Sequence, residues 1–226
     1  MAEYITFASK DDNKVNGALA LPPGEGKAPG LVLIQEWWGL NAHIRDLVDR
    51  FAAAGFVTLA PDLYHGSVAT DPAEAQALMQ ELDGQQAMGD IYGAIHALLG
   101  LERVNGNVGI TGFCLGGAYS FAAIANFPEL GAAVPFYGIP PAGRADYTKV
   151  RAPIQAHFAS RDAWASPAAA EGIKQQIDAQ GKTMELYVYE ADHAFFNNTR
   201  HDVFNPEAAK LAWERAVTFL HRHLDG

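Results

Sequence analysis

The chain has 226 residues, 49% of them hydrophobic and 19% charged, with a formal net charge of −10. That balance belongs to a globular protein with a large core, and the acidity argues against a nucleic-acid partner, which would need a basic patch. A single cysteine, Cys114, excludes an intramolecular disulfide framework and a CxxC-type zinc site.

The N-terminus lacks a basic start followed by an apolar run, so no secretory signal is expected. The apolar stretches fall short of the roughly 20 residues of a membrane span, and a cytoplasmic location is the default expectation. Tyr4–Ala8 and Val15–Leu21 alternate around a polar turn at Asp11–Asn13 and predict an antiparallel hairpin. Gly30–Glu36 is nearly continuous in apolar residues, as a strand buried on both faces would be. Ile44, Leu47, Val48 and Phe51 then recur at helical spacing within His43–Ala54, which Gly55 ends.

The alternation continues to the C-terminus. Strands are predicted at Phe56–Ala60, Val108–Thr111, Gly131–Phe136, Ile154–Phe158 and Met184–Tyr189. Helices are predicted at Pro72–Leu82, with Asp71 as N-cap, and at Gln86–Leu99, Leu115–Asn126, Pro167–Gln180 and Pro206–His223. The last carries Ala209, Trp213, Val217 and Leu220 on its expected core face. Strands alternating with helices predict βαβ units, hence one α/β domain over residues 1–226 with a mostly parallel sheet covered on both faces.

GFCLGG, residues 112–117, falls between a predicted strand and a predicted helix. That is the setting of a nucleophile elbow, a sharp turn that displays one side chain above the sheet and needs small residues on either side. Gly112 and Gly116 supply them, and the helix N-terminus behind the sulfur would favour thiolate. The competing reading is a small buried cysteine in a glycine-rich packing contact. The stretch lacks the spacing of a phosphate-binding loop.

A nucleophilic thiol needs a base and a group to orient that base, following it in chain order as acid, then histidine. His157 lies inside a predicted strand and His96 inside a helix, while His221 and His223 close the last helix and are expected in solvent. His43 and His65 precede the nucleophile. Of the remaining two, His193 follows a strand at once, and His201 lies deeper in a polar segment, so His193 is preferred. Asp162, in the loop after Ile154–Phe158, is the expected acid, and Asp192 the runner-up. Glu36 at a strand end reads, from its position alone, as a charge reaching solvent. The loop after that strand normally donates one oxyanion-hole N–H, and the residue after the nucleophile the other, which selects Trp37 and Leu115.

QEWWG (35–39), PDLY (61–64), GFCLGG (112–117), FYG (136–138), Asp162 and ADHAFF (191–196) together resemble the dienelactone hydrolase family. The likeness runs from the N-terminal hairpin to the last helix. It implies an α/β-hydrolase fold with a central sheet of about eight strands. It also implies a Cys114–His193–Asp162 triad that cleaves lactones or esters through a thioester, with no cofactor or metal. Glu36 would contact the resting thiol and help switch it to thiolate. Trp38, Tyr64, Tyr137, Phe195, Phe196 and Asn197 would line the substrate pocket.

The sequence departs from the family pattern at two carboxylate-binding arginines, where Gly66 and Asn197 stand, with Arg200 or Arg144 as potential substitutes. Twin tryptophans and Phe195–Phe196 suggest an apolar pocket for aromatic or neutral esters. The expected partner is a small lactone or ester, and the expected state a monomer or small homo-oligomer. Two other readings compete: a redox-sensing or non-hydrolytic protein with a reactive Cys114, and a different activity on the same scaffold.

Overall fold

In the computed structural model, which describes residues 1–226, one eight-stranded sheet runs through the molecule in the order β1-β2-β4-β3-β5-β6-β7-β8. The hairpin is β1 (Glu3–Ala8) and β2 (Lys14–Ala20), and β2 also pairs antiparallel with β4 (Val57–Pro61). All the other pairings are parallel: β3 (Ala28–Ile34), β5 (Val104–Phe113), β6 (Leu130–Phe136), β7 (Ile154–Ala159) and β8 (Met184–Tyr189).

Side chains alternate across this sheet and build two cores. Leu31 and Leu33 of β3 face one core with α1 (Ala42–Ala53) and α6 (Pro206–Leu224). Val32 and Ile34 face the other, with α3 (Gly84–Leu99), α4 (Leu115–Asn126) and α5 (Pro167–Asp178). A strand sandwiched in this way needs apolar residues at consecutive positions, which is why β3 lacks polar alternation.

Side-chain caps set helix starts. Asp71 accepts from Glu74 N and caps α2 (Pro72–Glu81), which has Pro72 at its first turn. The α3 helix starts two residues earlier than expected, because Asp83 accepts from Gln85 N and Gln86 N and caps it there. β5 is ten residues long where four were predicted, since its polar start, Asn105–Asn107, hides the first half of the strand. On α6 the buried stripe runs through Ala209, Ala212, Ala216, Phe219 and Leu220, and Trp213 and Val217 sit only partly buried at its edge. No helix is long and apolar enough to cross a membrane.

The strand order positions the site. From β3 the chain crosses to β4 on one side, and from β5 to β6 on the other. The loops after β3 and β5 therefore start side by side, Ile34 in register with Gly112, and diverge to opposite faces. A crevice opens between them at the carboxyl ends of the strands, the usual ligand position in such sheets.

Candidate active site

Cys114 is the N-cap residue of α4 and adopts φ 56°, ψ −113°. A non-glycine residue there stores on the order of 1–3 kcal/mol of strain, held in place by its surroundings. Cys114 N donates to Phe136 O at 3.1 Å, and Cys114 O accepts from Ala118 N at 3.2 Å, so both flanks of the turn are tied down. The glycines permit the close approach. A Cβ on Gly112 would collide with the Gly116 backbone, and one on Gly116 with the carbonyls of Ile34 and Gln35. The strand-to-helix elbow expected from GFCLGG is thus present.

His193, Cys114 and Asp162 come together from three loops. His193 Nε2 lies 3.3 Å from Cys114 Sγ, and His193 Nδ1 lies 2.5 Å from Asp162 Oδ2. Asp162 is 4% exposed, and its other oxygen accepts from Trp164 N and Ala165 N at 2.9 and 2.8 Å. A carboxylate that only accepts places the ring proton on Nδ1, which leaves the Nε2 lone pair facing the thiol. Tyr137 and Trp164 each meet the imidazole edge-on, with ring centroids 5.2 Å away. Asp192, the alternative acid, is engaged at the surface by the Arg161 fork at 3.0 and 2.9 Å.

His157 and His221 are occupied elsewhere. His157 is fully buried in β7 between Tyr189 and Gln155, and burial pushes its pKa down to about 3. His221, expected in solvent, is half-buried and bonds the Ala54 carbonyl at 2.8 Å, while His223 is exposed.

Glu36 does not reach solvent. It is 1% exposed, held against Tyr137 just after β6 and Asn197 of the His193 loop. Burial pushes its pKa up to about 6, against the pull of the Asn197 hydrogen bond and of the His193 and Arg200 charges. The family resemblance implies that Glu36 contacts the resting thiol; the two line one cavity and the Glu36 charge bears on the sulfur, but no hydrogen bond joins them. The Glu36 carboxylate accepts from Asn197 Nδ2 at 2.6 Å and Tyr137 OH at 3.5 Å, and the sulfur faces His193.

Burial and, second, the Glu36 charge push the Cys114 thiol pKa up, while the Leu115 and Trp37 N–H groups pull it back by hydrogen bonding to the sulfur. The helix N-terminus therefore does not prevail over desolvation, and the resting group is a thiol. Those same two N–H groups are the ones the sequence selects for an oxyanion.

Above the sulfur lies a cavity of about 200 Å³ lined by Glu36, Trp37, Trp38, Met79, Cys114, Trp164, His193, Ala194 and Arg200. Several pocket residues expected from sequence lie elsewhere. Phe195 and Phe196 are buried in the core beside α6, and Tyr137 stands behind Glu36. Asn197 is 1% exposed and bound to Glu36, and Tyr64 is buried beneath Gly39, outside the lining. Arg144 sits beside Gly84 and Tyr119, whereas Arg200 reaches the cavity wall with its fork paired to Asp202 at 2.9 and 2.6 Å. Met79 on α2 and Trp164 were missed. Trp164 carries a usable signal, lying two residues after the acid in the same loop, and Met79 has none.

The family model described as "Dienelactone hydrolase family" matches residues 15–224. "Protein usf" of Aquifex pyrophilus is 35% identical over 99% of this chain and 100% of its own length. The carboxymethylenebutenolidase of Pseudomonas putida is 30% identical over 97% of this chain and 96% of its own. Among solved structures, a putative dienelactone hydrolase from Klebsiella pneumoniae superposes with a TM-score of 0.81 at 27% identity, covering 96% of this chain and 98% of that one. An α/β-hydrolase sheet, a nucleophile-elbow turn and relatives matched end to end agree: this chain is a hydrolase belonging to the dienelactone hydrolase family.

Proposed function

We propose that the chain hydrolyses a carboxylic ester or lactone by covalent catalysis, with Cys114 as nucleophile, His193 as base and Asp162 as the group that orients it. One observation carries this reading: a single imidazole spans 3.3 Å to the sulfur of a strained elbow and 2.5 Å to a buried carboxylate.

The thiol proton passes to His193 Nε2 as the sulfur attacks the substrate carbonyl. The carbonyl oxygen becomes an oxyanion that accepts from Trp37 N–H and Leu115 N–H, the donors that bear on the resting sulfur. Collapse breaks the carbonyl–oxygen single bond, and the leaving oxygen takes the proton from His193. A thioester on Cys114 remains. In a lactone the released oxygen stays tethered to the acyl group. His193 then deprotonates a water that attacks the thioester, and the thiol leaves with a proton as the free acid forms.

Trp37, Trp38, Met79 and Trp164 give the cavity an apolar wall, which suits an aromatic or neutral acyl group. A second substrate class is favoured by one residue. Arg200 lines the same cavity and has its Nη1 not engaged by Asp202, so a lactone bearing a carboxylate has a cation to meet.

Hydrolysis of a panel of p-nitrophenyl esters and neutral and carboxylated lactones, by the wild type and Cys114→Ala, tests both points. Activity that survives the substitution would sink the nucleophile assignment, and the panel ranks the two substrate classes.

A further inference from the structure

The Glu36 carboxylate poses a physical problem that the hydrolytic reading leaves open. It lies under the cavity at 1% exposure, beside a thiol that its charge disfavours as thiolate. A buried carboxylate needs donors, and its surroundings offer few. Tyr137 OH reaches it at only 3.5 Å. Arg200 acts on it by charge but makes no hydrogen bond to it, its Nε and Nη2 being paired with Asp202. His193 gives it no hydrogen bond, since its ring nitrogens face Asp162 and the sulfur. The one close donor is Asn197 Nδ2, at 2.6 Å.

Asn197 is itself oriented. Its Oδ1 accepts from Thr199 N at 3.0 Å and Thr199 Oγ1 at 2.6 Å, both of them donors, so the amide can present only its NH₂ to Glu36. The backbone fixes the rest, since Asn197 N donates to Ala194 O and Asn197 O accepts from Arg200 N. The loop that carries His193 therefore also carries the group that occupies Glu36.

We propose that Asn197 is a positioning residue for the nucleophile: by tying down the buried Glu36 carboxylate, with its own amide locked by Thr199, it leaves the Cys114 thiol to His193 in the unliganded enzyme. Without that tie, Glu36 lacks its close donor and shares a cavity wall with a thiol. It would then accept the S–H proton and draw the sulfur away from His193. This assignment rests on the reading of Cys114 as nucleophile, and it makes the chain a constitutively engaged form, with no substrate needed to free the thiol.

The test uses iodoacetamide as probe and intact mass as readout, and because Cys114 is the only cysteine, every alkylated thiol is that one. Wild type, Asn197→Leu, Thr199→Val, Glu36→Gln and the Asn197→Leu/Glu36→Gln double variant are compared at neutral pH without substrate. Loss of a charge-assisted hydrogen bond predicts labelling about ten-fold slower in Asn197→Leu. Thr199→Val keeps the amide but loosens its orientation, and slows labelling by about two- to three-fold. The double variant labels at the Glu36→Gln rate, since a neutral amide in place of the carboxylate accepts the S–H proton poorly.

Wild-type labelling in Asn197→Leu would overturn the proposal. A double variant as slow as Asn197→Leu would also overturn it, because the effect would then come from the His193 loop and not through Glu36. Thr199→Val supplies the reading if Asn197→Leu fails to fold, and an unchanged rate there counts against the proposal. Ester hydrolysis persisting in Cys114→Ala would instead remove the underlying function, a result separate from any of these rates.

Discussion

Asp162 Oδ2 lies 2.5 Å from His193 Nδ1, while Asp162 Oδ1 is saturated by two backbone N–H groups. The acid is thus built as an acceptor that fixes the imidazole tautomer. Asp162→Asn keeps the shape but presents an NH₂ to Nδ1, which shifts the ring proton to Nε2 and removes the lone pair that faces the sulfur. The expected loss in kcat is about 10³–10⁴-fold with little change in KM, by analogy with the serine-protease triad. Asp192→Asn, which loses only a surface pair with Arg161, should retain kcat within about two-fold. Steady-state kinetics on one p-nitrophenyl ester decides both.

Glu36 ties the site to stability. Its pKa is raised from 4.5 to about 6 by burial, so the folded state holds that proton more tightly than the unfolded chain does. The associated stabilisation is fully present below pH 4.5 and is lost as pH rises through about 6. At neutral pH the ionised Glu36 therefore costs about 2 kcal/mol relative to a neutral group of the same shape. Glu36→Gln should unfold at higher urea than wild type at pH 7.5, with the gain shrinking toward zero near pH 4.5. A gain that persists at the lower pH would show that its cause is not ionisation. Such a trade of stability for a charged site is common in enzymes.

Much of this site could be read from the chain because a nucleophile elbow makes local demands. Gly112 and Gly116 are needed by contacts within a few residues and the adjoining strand end, and the loops carrying His193 and Asp162 follow strands with clear apolar runs. What could not be read depends on how loops fold back. Glu36 reads from sequence as the end of a strand reaching solvent, yet β3 stops at Ile34 and Asn197 covers Glu36 from 161 residues away. The Phe195–Phe196 pair follows one residue after His193, but a positive φ of 64° at the intervening Ala194 turns the chain, and both rings lie in the α6 core. Met79 of α2 lines the same cavity as Cys114, a tertiary placement with no local signature.

Backbone strain at Cys114 gives a test that is independent of catalysis. At φ 56°, ψ −113° any side chain is disfavoured, whereas glycine tolerates a positive φ. Cys114→Gly should be more stable than Cys114→Ala by about 1 kcal/mol, after the larger chain entropy of unfolded glycine is subtracted. Urea midpoints at equal m-values measure it. Equal stabilities, or a more stable alanine, would mean that the elbow is not strained. Gly116→Ala should behave oppositely, because its Cβ would enter the Ile34 and Gln35 carbonyls and push the two oxyanion donors apart. A loss of kcat larger than the loss of affinity is expected there.

Trp164 separates binding from folding. Trp164 is 54% exposed and meets His193 edge-on at 5.2 Å, so only part of its area is buried in the fold. Trp164→Ala should leave the urea midpoint within about 0.5 kcal/mol of wild type, as surface substitutions usually do. An aromatic acyl group loses a stacking wall, worth about 0.5–1.5 kcal/mol beyond area, so its KM should rise by about three- to ten-fold. A short acetyl ester, too small to reach the ring, should change less. If kcat for acetyl and aromatic esters fell together with KM unchanged, Trp164 would be acting on the His193 ring and not on the acyl group.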